Sequence, residues 1–215
     1  TDASVLQRLA DDHPVVDHLL RYRELEKLRS TYVDGLLPLI DADGRIHCVF
    51  NQTGASTGRI SSEQPNMQNI PVRSEEGRTI RRAFVAAQGH LFVVADYSQI
   101  ELRILAHLCG DVALVEAFRS GADVHTATAS RVFGVAGSEV TPEMRRRAKV
   151  INFGLLYGME AYGLAQRLEI SQEEARQQME AYFSQFPGVR AFMESIVVEA
   201  RNTGYTETIL GRRRY

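Results

Sequence analysis

The sequence predicts an α+β fold in which a small β-containing half precedes a large helical half. Two observations carry this. The segments with strand character, Arg45–Phe50 and the compact valine-rich run Leu91–Ala95, both lie before residue 96. From Gln99 onward the apolar residues recur almost throughout at helical spacing.

Taken in order, the stretch from Ala3 to Val33 places Val5, Leu6, Leu9, Val16, Leu19, Leu20, Leu25 and Leu28 at helical intervals. Pro14 divides it into two helices, because proline lacks the N–H a helix interior needs. Residues 51–72, rich in Asn, Gln, Ser, Thr, Gly and Pro, read as loop with short extended pieces. Leu91–Ala95 reads as a buried strand delivering Asp96 to its carboxyl end. In the helix that follows, Leu102, Leu105, Ala106 and Cys109 share a face and Gly110 is the stop. Asp111, Asp123 and Thr141 are N-caps, with Pro142 at the first helical position. Ser171–Glu174 reads as a capping box, Pro187 ends that helix, and a last helix runs to about Asn202 before Gly204. The closing residues, ETILGRRRY, look like a strand entering a turn, and the chain is expected to be a fragment.

Composition narrows the class. Apolar residues make up 44% and charged residues 24%, ordinary for a chain with a packed core. No apolar run is long enough to span a bilayer, and the start lacks a signal-peptide layout. Cys48 and Cys109 stand far apart without metal-ligand spacing, so a reduced, cytoplasmic protein is expected. Net charge is −2, whereas nucleic-acid binders usually carry a basic excess. The distribution matters more: Arg78, Arg81 and Arg82, then Arg145, Arg146, Arg147 and Lys149, then Arg212–Arg214 form local basic groups that can hold phosphates.

Two constellations could carry chemistry. In Asp96-Tyr97-Ser98-Gln99-Ile100-Glu101-Leu102-Arg103, a carboxylate at a strand end is costly unless a cation meets it, and Mg²⁺ is a suitable partner. The same segment reads equally well as a capping box, Ser98 to Glu101, with Asp96 bonding the turn. The second is Arg145, Lys149, Phe153 and Tyr157. Steps of four turn a helix by about 400° and rise about 6 Å each, so these side chains wind slowly up one face over roughly 18 Å. Cations come first and aromatics after, which suits phosphates, a sugar and a base in that order. Met144, Ala148, Ile151 and Leu155 supply the core face. A solvated basic face with core aromatics is the plain alternative. Gly154 and Gly158, read as inside the helix, weigh against it, since each costs about 1 kcal/mol relative to alanine. His125, Arg59, Gln68 and Asn69 are weaker candidates: the His more often structural, the amides as apt to satisfy loop backbone as a minor groove.

Together the 96–103 segment and the 145–158 segment (RRRAKVINFGLLYG) resemble motif A and motif B of the family A DNA polymerases of the bacterial type I kind. Residues 57–73 are similar to that family's template–primer contact segment, and the resemblance covers essentially the whole chain. It implies an incomplete right-hand polymerase fold, a mainly helical fingers region attached to a partial antiparallel palm sheet. Residues 1–40 would be the end of the thumb helices, 41–103 the first part of the palm, and 104–215 the fingers. It implies a DNA-directed DNA polymerase that adds dNTPs to a primer 3′ end by two-metal phosphoryl transfer, in replication and repair, acting as a monomer on a DNA primer–template. By resemblance, Asp96 would bind both Mg²⁺ ions and the Tyr97 carbonyl one of them. Arg145, Lys149 and His125 would grip the triphosphate, with Arg145 and Lys149 counted in the catalytic set beside Asp96. Phe153 would sit by the sugar 3′ position and disfavour dideoxynucleotides. Glu101, packed near Tyr157, would exclude a 2′-OH, and Gln99 and Ile100 would line the same pocket. Arg59, Gln68 and Asn69 would touch the duplex minor groove.

The family's other metal-binding carboxylates lie in a His-Asp-Glu segment beyond the position of Tyr215, so the 215 residues alone are expected to be inactive. Two other classes stay open: a non-catalytic nucleic-acid-binding module using the same basic helix, and a metal-dependent phosphohydrolase built around Asp96 and Glu101.

Overall fold

A computed structural model describes residues 2–72 and 74–215. Arg73, the last residue of the 57–73 segment, lies outside the described residues. The chain forms two compact units, Thr1–Val94 and Ala95–Tyr215.

In the first unit, α1 (Ala3–Arg8) and α2 (Val15–Leu28) are separated as Pro14 requires, with the proline at the N-cap of α2 where no N–H is needed. A five-residue π turn, Arg29–Val33, continues α2. Strand β1 (Val49–Asn51) pairs antiparallel with β2 (Ser61–Glu63), Phe50 facing Ser62. Helix α3 (Glu75–Arg82) is capped by Ser74, whose Oγ accepts from the Gly77 N–H at 3.1 Å. A side chain at Gly77 would meet Pro71 Cβ at 2.8 Å, so a close approach, not flexibility, selects glycine.

Leu91–Ala95 is a correction. It is neither a strand nor buried: Leu91, Val93 and Val94 are 86–91% exposed. A strand needs neighbours for its N–H and C=O groups and a packed face for its valines. Among the described residues no strand pairs with this segment, so its composition cannot be satisfied and it forms no regular secondary structure.

The second unit is helical: α4 (Ile100–Cys109), α5 (Val112–Arg119), α6 (Val124–Phe133), α7 (Pro142–Leu156), α8 (Ala161–Leu168), α9 (Gln172–Gln185) and α10 (Pro187–Thr203), then the short hairpin β3 (Thr206–Glu207) and β4 (Arg213–Arg214). Leu102, Leu114, Val124, Ile151, Leu155, Leu164, Tyr182, Phe186 and Val189 form its core. Helix α7 lies along α6 and also touches α4 and α8. The local punctuation follows the sequence. Gly110, Gly134 and Gly204 end helices with positive φ. Asp111, Asp123, Thr141 and Ser171 each accept the N–H three residues on. The Ser171–Glu174 box forms only in half, because Glu174 Oε1 accepts from Arg147 and Gln178 instead.

Asp111 does more than cap. While Oδ1 takes the Leu114 N–H at 3.0 Å, Oδ2 takes the Gly188 N–H at 2.9 Å, joining the starts of α5 and α10. A side chain at position 188 would lie 2.9 Å from Asp111 Cβ. Asp111→Ala removes the cap and orphans a second N–H, so stability should fall by about 2–3 kcal/mol. Urea denaturation followed by helix circular dichroism measures this; a loss below about 0.5 kcal/mol would mean water replaces the carboxylate at both sites.

Candidate nucleotide site

Helix α7 starts as its sequence demands, with Thr141 accepting from the Met144 N–H at 3.2 Å and Pro142 in the first turn. Its buried face is Ala148, Ile151, Asn152, Gly154 and Leu155, with Met144 half-buried. The stripe therefore faces outward: Arg145 and Lys149 are exposed and Phe153 is half-buried. Tyr157 is the C-cap, beyond the last helical residue, and 62% exposed. Gly158 follows outside the helix with φ +72°, and a side chain at Gly154 would meet Met159 Sδ at 3.0 Å. The reading of both glycines as lying inside the helix holds for Gly154, which admits Met159, and is corrected for Gly158, which makes the exit turn.

The cations divide clearly. Arg146 pairs with Glu143 at 2.7 Å and Arg147 with Glu174 at 2.7 Å. Arg145 forms a fork on Asp123, Nε to Oδ1 at 3.1 Å and Nη2 to Oδ2 at 2.8 Å. Lys149 makes no ion pair among the described residues.

Asp123 serves two partners, since Oδ1 also caps α6 through the Thr126 N–H at 2.8 Å. The Arg145 guanidinium, followed by the Thr126 N–H and hydroxyl, holds its carboxyl down to about 2. A depressed carboxylate stabilises the fold above its ordinary value near 3.8 and loses that contribution as pH falls toward about 2. The stability difference between the chain and its Asp123→Asn variant should therefore be constant above about pH 5 and shrink as pH falls through about 2. A pH series of urea denaturations reads this; a difference independent of pH would separate Asp123 from Arg145.

His125 is 3% exposed. Its Nδ1 lies 3.1 Å from Asn152 Nδ2, and its ring sits 5.7 Å from that of Phe153. Burial lowers its pKa, with Arg145 and Lys149 adding to that and Asp123 opposing it. The ring is neutral near pH 7.

At the other edge, the Tyr157 hydroxyl donates to Glu101 Oε2 at 2.5 Å, tying α4 to the exit of α7. The capping box expected from Ser98 to Glu101 does not form. Gln99 takes the N-cap position in a left-handed conformation, φ 54° and ψ 36°, without a side-chain cap. Ser98 thus lies one residue too early; its carbonyl accepts from Arg103 Nε at 3.0 Å, and Glu101 is engaged by Tyr157. A left-handed non-glycine residue costs of order 1–3 kcal/mol and is commonest at functional sites. Ile100 is 43% exposed.

Asp96 and Tyr97 are exposed on the open segment ahead of α4, and the strand end expected to present them is absent with the strand. An exposed carboxylate offers one hard oxygen ligand, enough for a Mg²⁺ ion that completes its shell with phosphate and water. By itself it does not build a two-ion centre, and among the described residues no three His, Cys, Asp or Glu side chains converge.

Arg59, Gln68 and Asn69 are exposed in the first unit. Gln68 Nε2 donates to the Ile60 carbonyl at 3.0 Å, and the Asn69 carbonyl accepts from the Tyr32 hydroxyl. Here the amide of Gln68 serves its own loop. Contacts in the second unit join Arg145 to Asp123, His125 to Asn152 and Phe153, and Tyr157 to Glu101. Asp96, Tyr97, Gln99 and Ile100 connect to that group through the chain leading into Glu101. Three contributors were missed from sequence as site residues: Asp123 beyond its capping role, Asn152 and Thr128. The legible signal for Asn152 was a carboxamide among Ile151, Ala148 and Leu155 on the apolar face of α7.

Comparison with known proteins covers the whole chain. The family model described as DNA polymerase family A matches residues 1–215. DNA polymerase I of Mycobacterium tuberculosis strain H37Rv is 56% identical over 218 residues, covering all of this chain and 24% of the relative. The thermostable DNA polymerase I of Thermus aquaticus is 56% identical over 216 residues, covering all of this chain and 26% of the relative. The chain thus spans about a quarter of the length of these relatives. Among solved structures, the POL domain of Pol1 from M. smegmatis, in complex with DNA primer-template and dNTP, superposes with a TM-score of 0.92 at 55% identity, covering all of this chain and 38% of that one.

Proposed function

This chain belongs to DNA polymerase family A, and from that premise we propose that it is the dNTP-handling portion of a DNA-directed DNA polymerase acting in replication and repair. The observation that carries the proposal is Lys149. It is the exposed cation that makes no ion pair among the described residues, in a cluster whose arginines at 145–147 are all paired, and it lies beside His125 and one helical turn before Phe153.

In this reading Lys149, Arg145 and His125 bind the triphosphate. Lys149 acts as a point charge, Arg145 exchanges its fork on Asp123 for phosphate oxygens, and neutral His125 contributes an N–H. Phe153, steadied by the His125 ring, lies along the sugar. Glu101, held by the Tyr157 hydroxyl, fills the space a 2′-OH would need, with Gln99 and Ile100 beside it. Arg59, Gln68 and Asn69 contact duplex DNA. Residues 1–40 belong to the thumb, 41–103 to the palm and 104–215 to the fingers. Asp96 and the Tyr97 carbonyl would hold Mg²⁺, which when bound neutralises the charge on the transferring phosphate. One carboxylate does not by itself set up the two-metal geometry, so the 215 residues alone are proposed to be inactive. A monomer in the cytoplasm fits two cysteines without a disulfide; no helix among the described residues is long and apolar enough to cross a membrane.

The test uses the polymerase that contains this chain. Pyrophosphate should be released only with Mg²⁺, a primer–template and the matching dNTP. Phosphate release without template would point instead to a phosphohydrolase, and indifference to dNTP and Mg²⁺ to a binding module. Glu101→Ala should raise ribonucleotide incorporation by roughly tenfold or more, since discrimination by steric exclusion is worth a few kcal/mol. Unchanged rNTP use would detach Glu101 from the sugar.

A further inference from the structure

Asn152 occupies a place where an apolar side chain would be expected, fully buried on the core side of α7. A buried carboxamide is tolerated only when its groups are hydrogen-bonded. The Nδ2 amide has two protons and two partners, Thr128 Oγ1 at 3.1 Å and His125 Nδ1 at 3.1 Å. Thr128 is itself fully buried on α6, and its Oγ1 also lies 3.2 Å from Asn152 Oδ1. Asn152 alone meets the ring nitrogen, and the buried Thr128 holds Asn152 in place.

An imidazole nitrogen that accepts a hydrogen bond carries no proton, so the single proton of the neutral ring resides on Nε2. Nε2 has no partner among the described residues. The described buried atoms lacking a partner are Gln178 Oε1 and Tyr182 OH, so Nε2 is not sealed in. It is the ring's open end.

We propose that Asn152, held by Thr128, is a positioning residue that fixes His125 as an Nε2–H donor aimed at the bound triphosphate. This rests on the dNTP-binding reading above. The charges acting on the ring are Asp123 at the head of its own helix and Arg145 and Lys149 from α7. They leave it neutral near pH 7, which makes the tautomer decisive: the other one would turn a lone pair, not a proton, toward phosphate.

Asn152→Asp tests the assignment in the polymerase containing this chain. A carboxylate at Nδ1 holds a proton there. At low pH the ring is doubly protonated and Nε2–H still donates. As pH rises, the Nε2 proton leaves and the donor becomes an acceptor. The ratio of the variant's KM for dNTP to that of the parent should be within about twofold near pH 6 and reach roughly tenfold by about pH 8.5, with primer–template affinity unchanged. A ratio constant across that range would overturn the proposal, because a merely structural role has no reason to follow the titration of one ring. Lys149→Ala in the same assay separates the two levels. If it leaves KM unchanged, the triphosphate reading itself fails; if it raises KM while the Asn152→Asp ratio stays flat, only the positioning role fails. Should the variant not fold, ¹⁵N-histidine spectra of the parent enzyme, with His125 assigned through His125→Gln, decide directly. The Nε2–H tautomer supports the proposal and the Nδ1–H tautomer overturns it.

Discussion

Asp96→Asn in the polymerase containing this chain should lower nucleotide incorporation by roughly a thousandfold while leaving DNA affinity nearly unchanged. The substitution keeps shape and removes charge. Asp96 is exposed on an open segment, so no packed neighbour is disturbed and no buried group is orphaned. What is lost is the hard anionic ligand through which a bound Mg²⁺ ion would be held against the phosphates. Stabilising transition-state charge in this way is worth several kcal/mol, and about 4 kcal/mol corresponds to three orders of magnitude in rate. Primer-extension rates beside a DNA-binding isotherm separate the two quantities. Incorporation within tenfold of the parent would remove Asp96 from the metal site; a parallel loss of DNA binding would make it a duplex contact.

Lys149→Ala should reduce kcat/KM for dNTP by roughly a hundredfold, mainly through KM, with duplex affinity little changed. Charge-assisted hydrogen bonds are worth about 1.5–3 kcal/mol each, and among the described residues the ammonium has no ion-pair partner to which that loss could be attributed. The side chain is exposed, so stability should move by less than about 0.5 kcal/mol. Lys149→Arg should restore only part of the loss, since a planar fork replaces a compact charge. Equal weakening of duplex and dNTP would instead describe a general nucleic-acid surface.

The local features of this fold were legible and the non-local ones were not. Caps at Asp111, Asp123, Thr141 and Ser171, the proline breaks at 14 and 187, and the glycine stops at 110 and 204 depend on neighbours within a few residues, so the sequence carries them intact. Leu91–Ala95 has a strand's composition, but a strand is completed by distant chain, and none among the described residues completes this one. The Ser98–Glu101 motif failed because two structures compete for Glu101, and a tyrosine 56 residues away takes it. The stripe on α7 was readable from spacing as far as Phe153. Its continuation to Tyr157 passes the helix end, which Gly158 marks. Asp123 was legible as a cap; its hold on Arg145 is a meeting of two helices 22 residues apart, which no local pattern encodes.

That hold has a consequence for selectivity among anions. On the proposed reading Arg145 does not wait bare for a phosphate: a carboxylate of the same chain already engages two of its five N–H donors. A newcomer that takes the donors held by Asp123 gains only the difference between its own bonds and those it displaces. Singly charged, loosely fitting ions from the surrounding buffer gain almost nothing by the exchange, whereas a polyphosphate, which can meet Lys149 at the same moment, does. If Arg145 binds the triphosphate as proposed, the resident acid acts as a placeholder that sets an entry threshold and reclaims the guanidinium once the visitor departs.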